Sequence, residues 1–411
     1  MAFIASFPSF KLNPSLIYQN NNNPQTKTLC PKPKLPIFKN TISKRVIITS
    51  KSPISISNKR TVLEAAEIPI LILDSESDSH KIWWSNVVVK KPKNVFAKRK
   101  WNSIDVGNLC LLIGLHALAL FAPFTFSWGA VTVAVVLYLL TGCLGVTLSY
   151  HRNLAHKSFK LPKWLEYIFA YCGVLALQGD PIGWVSTHRY HHQFCDSEKD
   201  PHTPIKGFWF SHVNWVFDTN SIFEKCIEPS SLENSKSLVS KLPSTKDPPF
   251  SLSSLLGLPQ CGETVNVQDL ENQPFYRFIR STYILHGLLF GLLLYAFGGF
   301  PYLVWGLGVS SVLSHQSTFM VNSVCHIWGN QTWNTGDLSK NNWWVALLSF
   351  GEGWHNNHHA FPYSARHGLE WWQVDMTWYI VKLLQILGLA TDVKVPSKAH
   401  KERLTLKSEA I

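Results

Sequence analysis

Apolar residues in this chain gather into four runs, at residues 107–126, 128–150, 282–298 and 300–320, none of which contains Asp, Glu, Lys or Arg. Each approaches the ~20 residues that an α-helix needs to cross a bilayer. The runs pair, because the links "APFTFSWG" and "GGFPY" are too short to hold a domain. The pattern therefore predicts an all-α integral membrane protein with four transmembrane helices in two hairpins. Lys and Arg cluster outside the runs. "KKPKNVFAKRK" precedes the first, "HRNLAHKSFKLPK" follows the second, and Arg277 and Arg280 precede the third. The positive-inside rule then puts the N-terminus, the middle segment and the C-terminus on one face of the membrane. Between the hairpins, "WLEYIFAYCGVLALQGDPIGW" is interrupted at Gly179, Pro181 and Gly183, and is expected as an interfacial or buried helix in a cap.

Composition agrees. Of 411 residues, 46% are hydrophobic and 16% charged, against about 25% charged in a soluble domain. The formal net charge of +12 is uneven: no acid occurs before Glu64. That acid-poor, Ser-rich, basic stretch predicts a chloroplast transit peptide over residues 1–65, chloroplast being preferred to mitochondrion because Arg is sparse. Residues 66–100 read as a basic pre-membrane segment, 227–261 as an inserted flexible loop rich in Ser, Pro and Leu, and 398–411 as a polar tail. Much of the basic excess lies in the N-terminal tail, and no nucleic-acid partner is expected. The eight cysteines contain no C-x-x-C pair, and read as small buried side chains in a reducing compartment. Oligomeric state is not legible.

Three histidine boxes carry the chemistry: "HRNLAH" with His151 and His156, "HRYHH" with His188, His191 and His192, and "HNNHH" with His355, His358 and His359. In H-x-x-H-H, spacings of three and four put three rings on one helical face. The five-residue step from His151 to His156 rotates by ~140° on an α-helix, so that pair is expected to hold a metal from two sides or across a helix end. Eight imidazoles exceed the capacity of one ion, and an all-nitrogen site for two metals is the expectation. His116, His286 and His315, inside apolar runs, read as packing residues. His367, although close to the third box, reads as a surface residue or as one that stands behind the ligands.

The boxes, their order and the surrounding "WVSTHRYHH", "DPHTPIKGFWFSHVNW", "NSVCHIWG" and "GEGWHNNHH" resemble the membrane fatty-acyl desaturases of the stearoyl-CoA and plant acyl-lipid delta-9 type. The resemblance covers residues 101–397 as a desaturase domain, apart from the 227–261 loop. It implies a helical cap over the four spans that holds two iron ions (Fe2+), and insertion of a cis double bond into a saturated acyl chain with O2 and two electrons. Position by position, it implies that the eight box histidines are iron ligands, that His326 is a ninth, and that Asn322 reaches one iron through a water. It further implies that Gln178, Trp184 and Thr318 line the bend of an acyl tunnel. Leu139 and Cys143, two to three helical turns before His151, are the candidates for its closed end. Asp196, Asp200, Glu352 and Asp375 are available to orient the imidazoles.

Within the family, the plastid tail favours the plant type that acts at delta-7 of palmitate on monogalactosyldiacylglycerol, in a multi-pass chloroplast membrane setting. A galactolipid is then the acyl-lipid substrate. The chain has no His-Pro-Gly-Gly haem motif, which leaves ferredoxin as the expected electron donor. The alternatives are a delta-9 acyl-lipid or acyl-CoA desaturase, a di-iron lipid hydroxylase or carotenoid oxygenase, and a non-enzymatic metal-binding membrane protein. The last should carry ionisable residues within its spans, and His116, His286 and His315 are too few and too scattered for that.

Overall fold

The structure, a computed structural model, describes residues 101–226 and 264–405. The expected transit peptide, the basic segment 66–100, the loop 227–261 and the last residues of the polar tail lie outside the described residues. Among the described residues the fold is helical, with isolated bridges and no strand.

Helix α1 (Ser103–Ala119) starts on a reciprocal cap, in which Asn102 accepts from the Asp105 backbone and Asp105 accepts from that of Asn102. It ends seven residues before the predicted limit of 126, in a 3-10 turn at Ala122–Thr125. Helix α2 begins at Trp128, capped by Ser127, and is α-helical to Tyr138. From Leu139 to Ala155 the same rod is wound as a π-helix. Helices α3 (Lys163–Val174) and α4 (Pro181–Phe194) follow. They divide the predicted interfacial stretch where Leu177 and Gly179 adopt positive φ. Short helices α5 (Phe208–His212) and α6 (Thr219–Cys226) complete this part.

Helix α7 (Pro274–Tyr302) is broken at Gly298 and Gly299, the latter at φ +63°, which is the "GGFPY" link. The chain folds back there, since a methyl on Gly306 would meet Leu294 and Leu137. A π-wound stretch (Leu303–Val309) leads into α8 (Ser310–Ser323). The remaining helices are α9 (Trp343–Leu348), α10 (His355–Ala360), α11 (Met376–Ile386) and α12 (Lys398–Leu404). Two helical rods, Trp128–Ala155 and Pro274–His326, are long and apolar enough to cross a membrane, and Ser103–Ala119 is a shorter apolar helix.

The π-wound end of α2 is the centre of the molecule. It packs α3 and α4 on one side through Tyr150, Leu154, Ala170, Ile182 and Trp184, and α11 on another through Leu148, Leu165, Val381 and Leu384. Contact with α3 is a backbone contact. A Cβ on Gly145 would run into the main chain of Cys172 and Gly173, and one on Gly173 into the Tyr150 ring. Gly145→Ala should therefore lower stability by about 1–3 kcal/mol through overpacking. Gly114→Ala, whose Cβ meets nothing within 4 Å, should raise stability by up to ~1 kcal/mol through helix propensity, and thermal unfolding of the solubilised protein compares the two.

Candidate metal centre

Each histidine box sits where a helix is about to end. His151 is on the last turn of the π-wound rod and His156 caps it, its N–H donating to the His151 carbonyl at 3.1 Å. Winding by i→i+5 bonds makes five residues little more than one turn, so the two rings lie on the same side, with centroids 4.8 Å apart. The two-sided grip expected from α-helical spacing is thereby replaced. His188, His191 and His192 come from α4, whose start Asp180 caps by accepting from Ile182 and Gly183. His326 closes the 3-10 turn after α8. The third box is α10, only six residues long, and its two asparagines hold it in place. Asn356 Oδ1 accepts from the backbone of Thr332 and Trp333, and Asn357 joins Trp333 Nε1, the His367 carbonyl and Gln373.

These elements bring nine imidazoles into two adjoining sets. In the first, His151, His156, His188, His192 and His358 can offer ligand atoms within 4.8 Å of one another. Nε2 of His358 is 3.1 Å from that of His151 and 2.8 Å from that of His192, and the His156–His188 separation is 2.7 Å. In the second, His355 Nε2 lies 2.9 Å from His326 Nε2 and 3.0 Å from His359 Nε2, and His191 and the Cys195 thiol offer ligand atoms within 4.8 Å of those of His326 and His359.

Four carboxylates stand behind the rings, each at an Nδ1: Glu352 at 2.7 Å from His151, Asp200 at 3.0 Å from His191, Asp196 at 3.1 Å from His326 and Asp337 at 2.9 Å from His359. A carboxylate there draws the ring proton to Nδ1 and leaves Nε2 with its lone pair. Lone pairs that face one another at about 3 Å in a dry interior repel unless a cation lies between them. The donor set therefore fits metal ions.

Two parts of this arrangement were not legible. Asp337 precedes His359 by 22 residues in an irregular loop, and no spacing rule points to it. His367, expected at the surface or behind the ligand rings, takes the second place: it is fully buried, its Nδ1 3.0 Å from Glu352 and its ring 4.5 Å from that of His358. Arg152 also departs from expectation. Read as part of a basic flank, it is wholly buried, pairs with Glu352 at 2.9 Å and with Asp375 at 2.9 Å, and donates to the Ala365 carbonyl. Asp375 thus serves Arg152 and caps α11, but faces no ring. His116 and His315 bond to carbonyls four residues earlier in their own helices.

Two cavities flank the imidazoles and share Trp184, His188, Thr318 and Asn322 in their walls. Gln178 lines the first and accepts from the Thr318 hydroxyl at 3.0 Å. The second runs along α2 past Val146, Gly142 and Tyr138. Leu139 and Cys143 line neither cavity: Leu139 is partly exposed at 37%, and the Cys143 thiol turns toward Thr377. On α2 the lining residues Thr147, Val146, Gly142 and Tyr138 lie 4, 5, 9 and 13 positions before His151, whereas Cys143 and Leu139 lie 8 and 12 before it. On a rod wound more widely than 3.6 residues per turn, the positions that share a face with His151 fall at other intervals than on an α-helix.

Burial sets the protonation of the rings. It depresses His156, His188, His192, His355 and His358 well below the ordinary imidazole value, with neighbouring imidazoles adding to the effect. His359 is pushed down to about 4, less than burial alone would dictate because Asp337 opposes it. Burial would raise the Asp337 carboxyl, but the hydrogen bond and charge of His359 hold it far below the usual carboxylate range.

The profile of the fatty acid desaturase family matches residues 126–385. The chloroplastic palmitoyl-monogalactosyldiacylglycerol delta-7 desaturase of Arabidopsis thaliana is 58% identical over 336 residues, 82% of this chain and 81% of that one. An acyl-CoA 5-desaturase of Anemone leveillei is 51% identical over 83% of this chain and 96% of its own length. Delta-9 acyl-lipid desaturase 1 of Arabidopsis thaliana is 48% identical over 81% and 97% respectively.

The depressed imidazoles give a pH dependence to the metal-free protein. Rings whose folded-state proton affinity lies below the unfolded value, near pH 6.5, stay neutral in the fold while the unfolded chain takes up protons. Their contribution to stability is full above about pH 6.5 and is lost on acidification toward the folded value of about 4 at His359. The thermal midpoint of the metal-free protein should accordingly fall between pH 6.5 and 4, and should not respond to these rings above pH 6.5.

Proposed function

The chain belongs to the fatty acid desaturase family, and from that premise we propose that it inserts a cis double bond at delta-7 of palmitate carried on monogalactosyldiacylglycerol, in a chloroplast membrane. The enzyme is an oxidoreductase. The observation that carries the metal-dependent chemistry is the convergence of nine imidazoles in sets of five and four, of which His188 stands in the wall shared by two cavities and His151, His191 and His355 in that of the second. The delta-7 galactolipid assignment is supported by the likeness to the chloroplastic relative. His151, His156, His188, His192 and His358 would hold one iron ion. His191, His326, His355 and His359 would hold the other, with Asn322 on the adjoining wall to reach it through a water.

An unactivated methylene has neither an acidic proton nor an electrophilic carbon, so side-chain acids and bases cannot open it. The chemistry that an iron pair supplies when bound is the O2-dependent removal of two hydrogens, balanced by two electrons from a donor. The remaining work belongs to this chain. Glu352, Asp196, Asp200 and Asp337 fix the tautomers that direct Nε2 inward. Trp184, Thr318 and Gln178 shape the junction at which an acyl chain bends, so that one C–C bond is presented to the imidazole sets. The apolar wall at Val146, Gly142 and Tyr138 receives the part of the chain beyond the bend and keeps water out.

On this reading α1, α2, α7 and the Leu303–Ser323 segment would form four spans in two hairpins, which the two long apolar rods and the shorter apolar helix α1 support. The relative that acts on a galactolipid is chloroplastic, and the acid-poor N-terminal stretch supports the same location. Ferredoxin is the donor that such a location favours.

Expression in a host supplied with plastid galactolipids, followed by locating the double bond in each lipid class, tests the substrate. A hexadecenoyl chain unsaturated at delta-7 on the galactolipid is expected. Unsaturation at delta-9 on a phospholipid would replace that assignment and leave the metal reading intact. His358→Ala should abolish product while the chain still enters the membrane, and desaturation retained in that variant would remove the metal reading. Asp337→Asn should weaken iron binding about 10–100-fold by freeing the His359 ring, which metal analysis of the purified protein measures independently of activity.

A further inference from the structure

Helix α11 is apolar on both faces. Thr377, Val381 and Leu384 are buried against the body of the protein, while Tyr379, Leu383 and Ile386 point outward, 54%, 55% and 77% exposed. The outward surface is extended by Trp371 and Trp372, the former 89% exposed, and by Trp343 on α9. These pieces adjoin. The Thr377 N–H and hydroxyl bond to the Phe350 carbonyl just beyond α9, and the Trp372 ring lies 5.3 Å from Trp354. An exposed apolar surface of this extent, rich in Trp and Tyr, is costly in water and typical of a membrane–water boundary.

Its depth follows from what it packs against. Thr377 bonds to Thr147 at 2.7 Å and faces Cys143, both inside the uncharged run 128–150. They lie three and seven residues before its end, within ~5 and ~10 Å of it, since a π-wound stretch rises less per residue than the ~1.5 Å of an α-helix, and that is the depth at which an amphipathic helix sits in the headgroup and acyl boundary. The surface is also continuous with the outer faces of the spans, since the Tyr138 hydroxyl donates to the Leu348 carbonyl at the end of α9. Lys382 folds over the Trp378 ring from the exposed side, where a long stem can bring its ammonium up to the headgroups.

We infer that α11, with Trp371, Trp372 and the outer face of α9, is seated in the lipid leaflet as a monotopic anchor of the cap. The inference rests on the membrane-spanning reading above. The occupant of this surface is lipid, not a protein partner or a second copy, because the span it packs on is itself surrounded by lipid at that depth.

Benzoylphenylalanine installed in place of Ile386, Leu292 or Lys199, in the full-length protein reconstituted with a clickable acyl lipid, reads this directly. Leu292 is an outward residue of α7 at 67% exposure and Lys199 is an exposed residue of the cap. Lipid adducts are expected at 386 and 292 and none at 199. Adducts at 292 without any at 386 would overturn the leaflet seat alone. No adduct at 292 would overturn the spanning reading beneath it.

Discussion

A single buried arginine ties the metal centre to the rest of the molecule. Arg152 has no exposed surface and spends its charge on Glu352 and Asp375, two carboxylates from a segment 200 or more residues further along the chain. Taking three ions out of water is expensive, and removal of one partner from such a set costs about 3–5 kcal/mol. Glu352 is also the carboxylate at His151, and Asp375 also begins α11 and accepts from the backbone of His367 and Gly368. One guanidinium therefore fixes the rod that carries the first box, the loop that carries the third, and the helix beneath the cap.

Around that tie the imidazoles are arranged by main-chain geometry more than by side-chain contacts. The π-winding of α2 stacks His151 and His156 on one face and turns Val146, Gly142 and Tyr138 to the same side, so one irregularity sets both the metal donors and the cavity wall. Gly145 and Gly173 let α3 approach this wide rod without a gap. The amides of Asn356 and Asn357 do for α10 what a longer helix would do for itself, which explains why six residues suffice to aim three rings.

Much of this was legible in the sequence, for a physical reason. Metal ligands of the imidazole type are few, chemically distinct and constrained in spacing, and so the boxes announce themselves, as do long uncharged runs. His326 stood out only through resemblance. Residues that act through a partner left no such mark. Asp337 and His367 are recognisable only once the chain has brought them to His359 and Glu352. Arg152 was misread because a basic residue after an apolar run looks the same whether it faces headgroups or a buried carboxylate. Leu139 and Cys143 line neither cavity, and propensity and hydropathy carry no signature of the change from α to π winding that orients the rod there.

The distance in sequence between Arg152 and its partners has a consequence for biogenesis. Neither imidazole set is complete until the chain has been made beyond His359, because each needs rings from α10. A ribosome that adds roughly 5–20 residues per second needs about 10–40 s to pass from Arg152 to Glu352. Through that interval Arg152 stands without the carboxylates it pairs with in the fold, and His151 and His156 can meet only the rings of α4. Assembly of the two imidazole sets is thus a late event, which waits on Glu352, His358 and His359 from a segment about 200 residues further on.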